Sequence, residues 1–273
     1  MKNEYIDLIK KVLIDYNRSD LSELRLIQRY TPNFRGKVLK IIANLLRMRD
    51  IHLGLMTEAK DLAEIRAGGR DWPTKAESMI GLKRMDNIQF CIENILKNNI
   101  PGDLIETGVW RGGASIFMKA ILKANNINDR KVYLADSFAG LPKPDPKYAA
   151  DNNDIHHTFD ELAVSLEVVK NNFLKYDLLD DNVVFLKGWF KDTLPSLKDE
   201  QFALLRLDGD MYASTMDALT NLYPTLSKGG YIIIDDWGAV PASKVATNDY
   251  RREHNISDEI KDIDGVGIYW QKS

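Results

Sequence analysis

Two apolar runs constrain this chain more than any other feature. FALLRLD (202–208) and GYIIIDD (230–236) are nearly continuous hydrophobic stretches rather than alternating ones. Such runs suit strands buried on both faces, as in parallel sheets covered by helices. Both lead into carboxylates: Asp208 and Asp210 after the first run, Asp235 and Asp236 after the second. Like charges gathered at the ends of buried strands are costly unless a cation neutralises them.

From Asp103 onward, strand-like and helix-like segments alternate. DLIET, KVYLA, NVVFLKG, FALLRLD and GYIIIDD read as strands, and DGVGIYWQK reads as a closing antiparallel strand. RGGASIFMKAILKANN, LAVSLEVVKNNFLKY and TMDALTNLYPTL read as the helices between them. The alternation predicts an α/β fold with a mostly parallel central sheet. Ligands of such sheets sit outside the carboxyl ends of the strands, near a topological switch point, which is where the aspartates fall.

Upstream, residues 1–69 read as a helical extension and 70–273 as the sheet domain. EYIDLIKKVLIDY, RGKVLKIIANLLRM and MTEAKDLAEIRAGG carry helical periodicity, the last stopped by Gly68 and Gly69. A long helix is expected next, with Pro73 near its start and Ile100-Pro101-Gly102 closing it. The longest irregular stretch, residues 137–160, follows the second strand, and a loop of that length is expected to act as a lid over the ligand edge.

The 273 residues carry a formal net charge of -3, so no basic field points to nucleic acid. One cysteine, Cys91, permits no intrachain disulfide and suits a reducing cytoplasm. No secretory leader or run long enough to span a membrane is evident.

DLIETGVWRGGAS opens a helix after the first strand, with Gly108 and Gly112 permitting a tight turn. It departs from the dinucleotide fingerprint, because Trp110 stands where a glycine is needed and Glu106 would repel a pyrophosphate. Glu106 suits the ammonium of an amino acid instead. Asp136 ends the second strand, where an acid commonly accepts hydrogen bonds from ribose hydroxyls. Together these fit S-adenosylmethionine, with Ser115, Ser137 and Gly188 on the same turns. Trp189 and Phe190 are placed to stack on an adenine or close the pocket. An NAD-dependent oxidoreductase fits less well, for want of the fingerprint.

DWPTKAESMIGLKRMDNIQ, DLIETGVWRGGASIFMKAIL, ADSFAGLP, GWFKDTLP, the segment from Leu204 to Gly238 and the closing GIYWQK resemble the macrocin O-methyltransferase (TylF) family over about 70–272. The resemblance implies a class I methyltransferase (Rossmann-like) fold, S-adenosylmethionine as donor, Mg2+ assistance and a sugar hydroxyl as acceptor. It also implies Ser78 and Met79 near the cofactor, and homo-oligomers whose N-terminal segments help build the acceptor site.

Asp208, Asp235 and Asp236 are the expected ligands of Mg2+ or Mn2+, hard cations that prefer carboxylate oxygens. Asp210 is the candidate base that takes the hydroxyl proton, with His156 and His157 on the expected lid as runners-up. The division between ligand and base for Asp208 and Asp210 stays open in sequence; related catechol-type enzymes favour Asp208 on the metal. Asp235 and Asp236 also suit a solvated turn, and Asp210 a cap for the helix beginning near Tyr212. A phenol or catechol acceptor, or a non-catalytic Rossmann-like binding protein, are the competing functions.

Overall fold

The computed structural model describes residues 2–18, 23–26, 34–51, 53–57, 62–152 and 154–273. Its elements in chain order are α1 (Lys2–Leu13), β1 (Glu23–Leu26), α2 (Phe34–Arg47), β2 (Gly54–Thr57), α3 (Leu62–Ala67) and α4 (Leu82–Lys97). The alternating part follows: β3 (Asp103–Thr107), α5 (Gly113–Ala124), β4 (Val132–Asp136), α6 (Leu166–Lys175), β5 (Val183–Lys187), α7 (Phe190–Thr193), β6 (Phe202–Leu207), α8 (Tyr212–Leu222) and β7 (Leu226–Ile234). The chain closes with α9 (Pro241–Glu253), β8 (Lys261–Asp262) and β9 (Ile268–Gln271).

The main sheet has seven strands in the order β5-β4-β3-β6-β7-β9-β8. The first five are parallel, and β9 pairs antiparallel with β7. From β3 the chain steps outward through β4 and β5, then returns to lay β6 on the other side of β3. The switch point therefore lies between β3 and β6, and a crevice opens beyond their carboxyl ends.

The apolar runs are buried as their pattern demands: every residue of β6 is buried. Leu104, Leu134, Leu204 and Ile233 face a core that also holds Phe117, Ile88 and Ile92. Ile105, Leu205, Ile232 and Ile234 face the opposite core, with Leu219, Tyr250 and Trp270. Ile6, Ile9 and Leu13 of α1 join the first core, packed on α5.

Several elements differ from the sequence expectation. The long helix begins at Leu82 rather than near Pro73. Residues 70–81 are instead irregular and commit backbone groups to distant partners: Ser78 N donates to Leu13 O (2.9 Å), and Glu77 O accepts from Gly113 N (2.9 Å). Where a third helix was expected from Met56, Gly54–Thr57 pair antiparallel with β1 as β2, and the described helix is Leu62–Ala67; residues 58–61 of that expectation lie outside the described residues. Helix α9 was not read at all. Its buried face is made of Ala242, Ser243, Ala246, Thr247 and Tyr250, mostly small or polar, so apolar periodicity is faint. Pro241 at its first turn was the usable signal. Among the described residues, no helix is long and apolar enough to cross a membrane.

Candidate active site

A cavity of about 590 Å³ occupies the crevice beyond the switch point. One end is built by the turn after β3. Gly108 has φ +76°, and a Cβ there would lie 1.8 Å from the carbonyl oxygen of Asp208. Only glycine lets the exits of β3 and β6 approach this closely. Gly112 (φ +87°) starts α5 but is absent from the cavity wall, so its part is to shape the turn.

Glu106 is buried and reaches the cavity, yet it already has protein partners. Arg206 Nη1 lies 2.6 Å from its Oε1, and the Ser115 hydroxyl donates to its other oxygen. Burial pushes its carboxyl up to about 7, although Arg206 and Ser115 pull it down. Ser115 is itself fully buried and lies outside the wall, so it orients Glu106 instead of meeting a ligand. Asp136 accepts from the amides of Val109 (2.8 Å) and Phe138 (2.6 Å). Ser78, Met79, Trp110, Ser137, Gly188, Trp189 and Phe190 all reach the wall.

The other end is acidic. Carboxylate oxygens of Asp208, Asp210 and Asp236 lie within 4.8 Å of one another. Asp236 Oδ2 is buried without a hydrogen-bond partner. Its carboxyl is pushed well above the ordinary range by burial and by the charges of Asp208, Asp210 and Asp235. Asp210 is pushed up to about 7 by burial and Asp208, partly offset by His156. Three carboxylates, one of them with an orphaned buried oxygen, form a donor set that fits a hard divalent cation.

Asp235 is not in that trio. Its carboxylate lies 2.7 Å from Arg84 Nη1 and 2.6 Å from Arg206 Nη2. Burial alone would raise its pKa, but the two guanidinium groups hold it below the ordinary value. Asp235 and Asp236 both line the cavity just past the end of β7, but Asp235 is committed to the two arginines while Asp236 joins the acidic cluster. His156 reaches the cavity and is held by Asp154 through Nδ1 (2.7 Å); His157 is not on the wall. Asp210 does not cap α8: that cap comes from Asp151, whose Oδ1 accepts from Tyr212 N at 2.7 Å.

Arg206 and Arg84 were missed in the sequence. Arg206 touches Glu106, Asp208 and Asp235 from near the carboxyl end of β6, while Arg84 ties Asp235 to Asp264. A lone arginine inside FALLRLD was the available signal, since a charge in a buried strand needs partners.

A family model described as "Macrocin-O-methyltransferase (TylF)" matches residues 2–272. The chain belongs to this family. Macrocin O-methyltransferase family membership makes it an O-methyltransferase, and its sheet is that of the class I methyltransferases. It is 52% identical over 212 residues to the demethyldecarbamoylnovobiocin O-methyltransferase of Streptomyces niveus, covering 77% of this chain and 81% of that one. It is 49% identical over 239 residues to the mycinamicin III 3''-O-methyltransferase of Micromonospora griseorubida, covering 86% and 94%. A third relative, from Streptomyces olivaceus, is 49% identical over 235 residues, covering 85% and 89%; its name describes 4'-O-methylation of a 2,3-dimethoxy-rhamnosyl tetracenomycin. The solved O-methyltransferase NovP superposes with TM-score 0.83 at 44% identity over all of both chains.

Proposed function

We propose that this O-methyltransferase moves the methyl group of S-adenosylmethionine to a sugar hydroxyl with the help of a divalent cation. The observation that carries this reading is the trio Asp208, Asp210 and Asp236, set at the switch point of one cavity with Glu106 and Asp136. Asp208 and Asp236 would hold Mg2+ or Mn2+. Bound there, the ion supplies charge that lowers the pKa of a hydroxyl beside it. Asp136 would take the ribose hydroxyls of the donor and Glu106 its ammonium, while Trp189 and Phe190 cover the base. Asp210 is the proton acceptor. Its carboxylate oxygen lies within 4.8 Å of the other two acids, in reach of an acceptor oxygen held beside them. His156, fixed by Asp154, faces the same cavity as a neighbouring polar group.

A sugar acceptor is supported by the rhamnosyl group in the name of the relative from Streptomyces olivaceus. The wall's charge favours a neutral glycoside over a nucleotide sugar. Arg84 and Arg206 are already ion-paired with carboxylates, so a diphosphate would depend on cations such as Lys143 and Lys191 and face the aspartates. We also infer a homo-oligomer: Ile41, Leu45 and Met48 of the α2 segment are exposed in the single chain. Acceptors are tested with methyl-labelled S-adenosylmethionine, with Mg2+ or with EDTA. Label should enter neutral glycosides only with Mg2+; full transfer in EDTA would rule out the cation. Transfer to catechols alone would return the acceptor to the phenol class.

A further inference from the structure

The acidic loop between β6 and α8 carries two of the three clustered carboxylates, and its conformation is strained. Asp210 has φ +53°, a left-handed backbone that costs a residue with a Cβ and persists only where surroundings enforce it. At its start the loop is fixed by Asp208 N donating to Thr107 O (3.0 Å). Its end runs into α8, where the N-cap residue Met211 offers no side-chain acceptor. The acceptor is Asp151, about sixty residues upstream, which belongs to the segment expected to be a lid. Asp151 Oδ1 accepts from Tyr212 N (2.7 Å) and Oδ2 from Ala213 N (3.1 Å). Asp151 is fully buried. The Tyr148 ring lies 5.1 Å from the Tyr212 ring, and the short turn Ala149–Asp151 packs against α8 and α9.

We propose that Asp151 is a positioning residue: it caps α8 from the loop that crosses the cavity, and so sets the loop that presents Asp208 and Asp210. A carboxylate accepting both of the first two amides satisfies donors that otherwise stay orphaned at a helix start, and it complements the positive end of the helix. The crossing loop is thereby a strut. Its other end is tied to the donor turn, because the Trp110 indole donates to Glu161 O (2.9 Å). One segment thus joins the turn after β3 to the acids after β6. The inference rests on the reading of the acids as the cation site.

The test compares wild-type protein with Asp151→Ala and Asp151→Asn. Hydrogen–deuterium exchange is read over residues 208–215 without ligands, and Mn2+ and S-adenosylhomocysteine are each titrated calorimetrically. Asp151→Ala should expose the amides of Tyr212 and Ala213 and weaken Mn2+ by about fivefold, the scale of a lost helix cap, with S-adenosylhomocysteine affinity within about twofold. Asparagine also caps helices, so Asp151→Asn should restore most of the Mn2+ affinity. Unchanged exchange and Mn2+ affinity in a folded Asp151→Ala would overturn the proposal. Should that variant fail to fold, Asp151→Asn decides: it must keep a near-normal melting temperature with exchange raised at Ala213, and wild-type exchange there refutes the cap. If the wild-type protein itself takes up no Mn2+, the cation reading fails instead, and the exchange result still judges the cap.

Discussion

Each aspartate at the strand exits is defined by what faces it. Asp236 has an orphaned oxygen and two acidic neighbours, whereas Asp235, one residue away, sits between two arginines. Asp236→Asn should therefore lower Mn2+ affinity by roughly 100-fold or more, given that even outer-shell partners of a metal ligand matter by about 10–100-fold. Calorimetry reads this directly, and S-adenosylhomocysteine affinity should hardly change. Arg206→Leu should instead act on stability. It strands Glu106, Asp208 and Asp235 without their shared cation, and breaking a buried ion pair costs about 3–5 kcal/mol. Urea unfolding measures the difference; a loss below about 1 kcal/mol would show that the arginine is not what holds these acids together.

Among elements, the turn after β3 is the tightest place in the site. Gly108→Ala puts a Cβ against the backbone of Asp208 and forces a left-handed alanine. Reduced donor affinity together with a melting temperature lower by several degrees is expected, consistent with a cost of at least about 1 kcal/mol. Wild-type S-adenosylhomocysteine binding in this variant would mean the two strand exits can separate freely. The sheet was legible because parallel strands leave continuous apolar runs. DLIET and FALLRLD fell on β3 and β6 to within a residue, whereas GYIIIDD took only the second half of β7, whose first four residues, Leu226–Gly229, break the apolar run with Ser227, Lys228 and Gly229. Residues 70–81 were not legible: the Ser78 amide donates to Leu13 and the Glu77 carbonyl accepts from the start of α5, partners that no local pattern names. The candidate site was readable in part for the same reason. Acids and glycines at strand ends stand out by position, while the pairing of Arg84 with Asp235 and Asp264 spans more than 150 residues.

At the scale of the whole molecule, the cavity gathers more acid than its buried arginines offset. Glu106 and Asp210 keep their protons up to about pH 7 in the folded chain, and Asp208 and Asp236 are shifted in the same direction. Unfolded, such carboxyls ionise at roughly pH 4. The folded form thus binds more protons between these limits, so these groups' stabilising contribution is full at low pH and falls as pH rises towards 7. A cation competes with those protons, and its stabilising effect should be greater at alkaline than at acidic pH. Thermal melts with and without Mg2+ on either side of neutrality check this; an equal gain in melting temperature at both would place the cation elsewhere. The most direct measurement is anomalous scattering from crystals grown with Mn2+ and S-adenosylhomocysteine. A single manganese peak in contact with Asp208 and Asp236, beside the donor's sulfur, is the predicted result. An empty acidic cluster, or manganese bound away from that sulfur, would contradict cation-assisted methyl transfer by this chain.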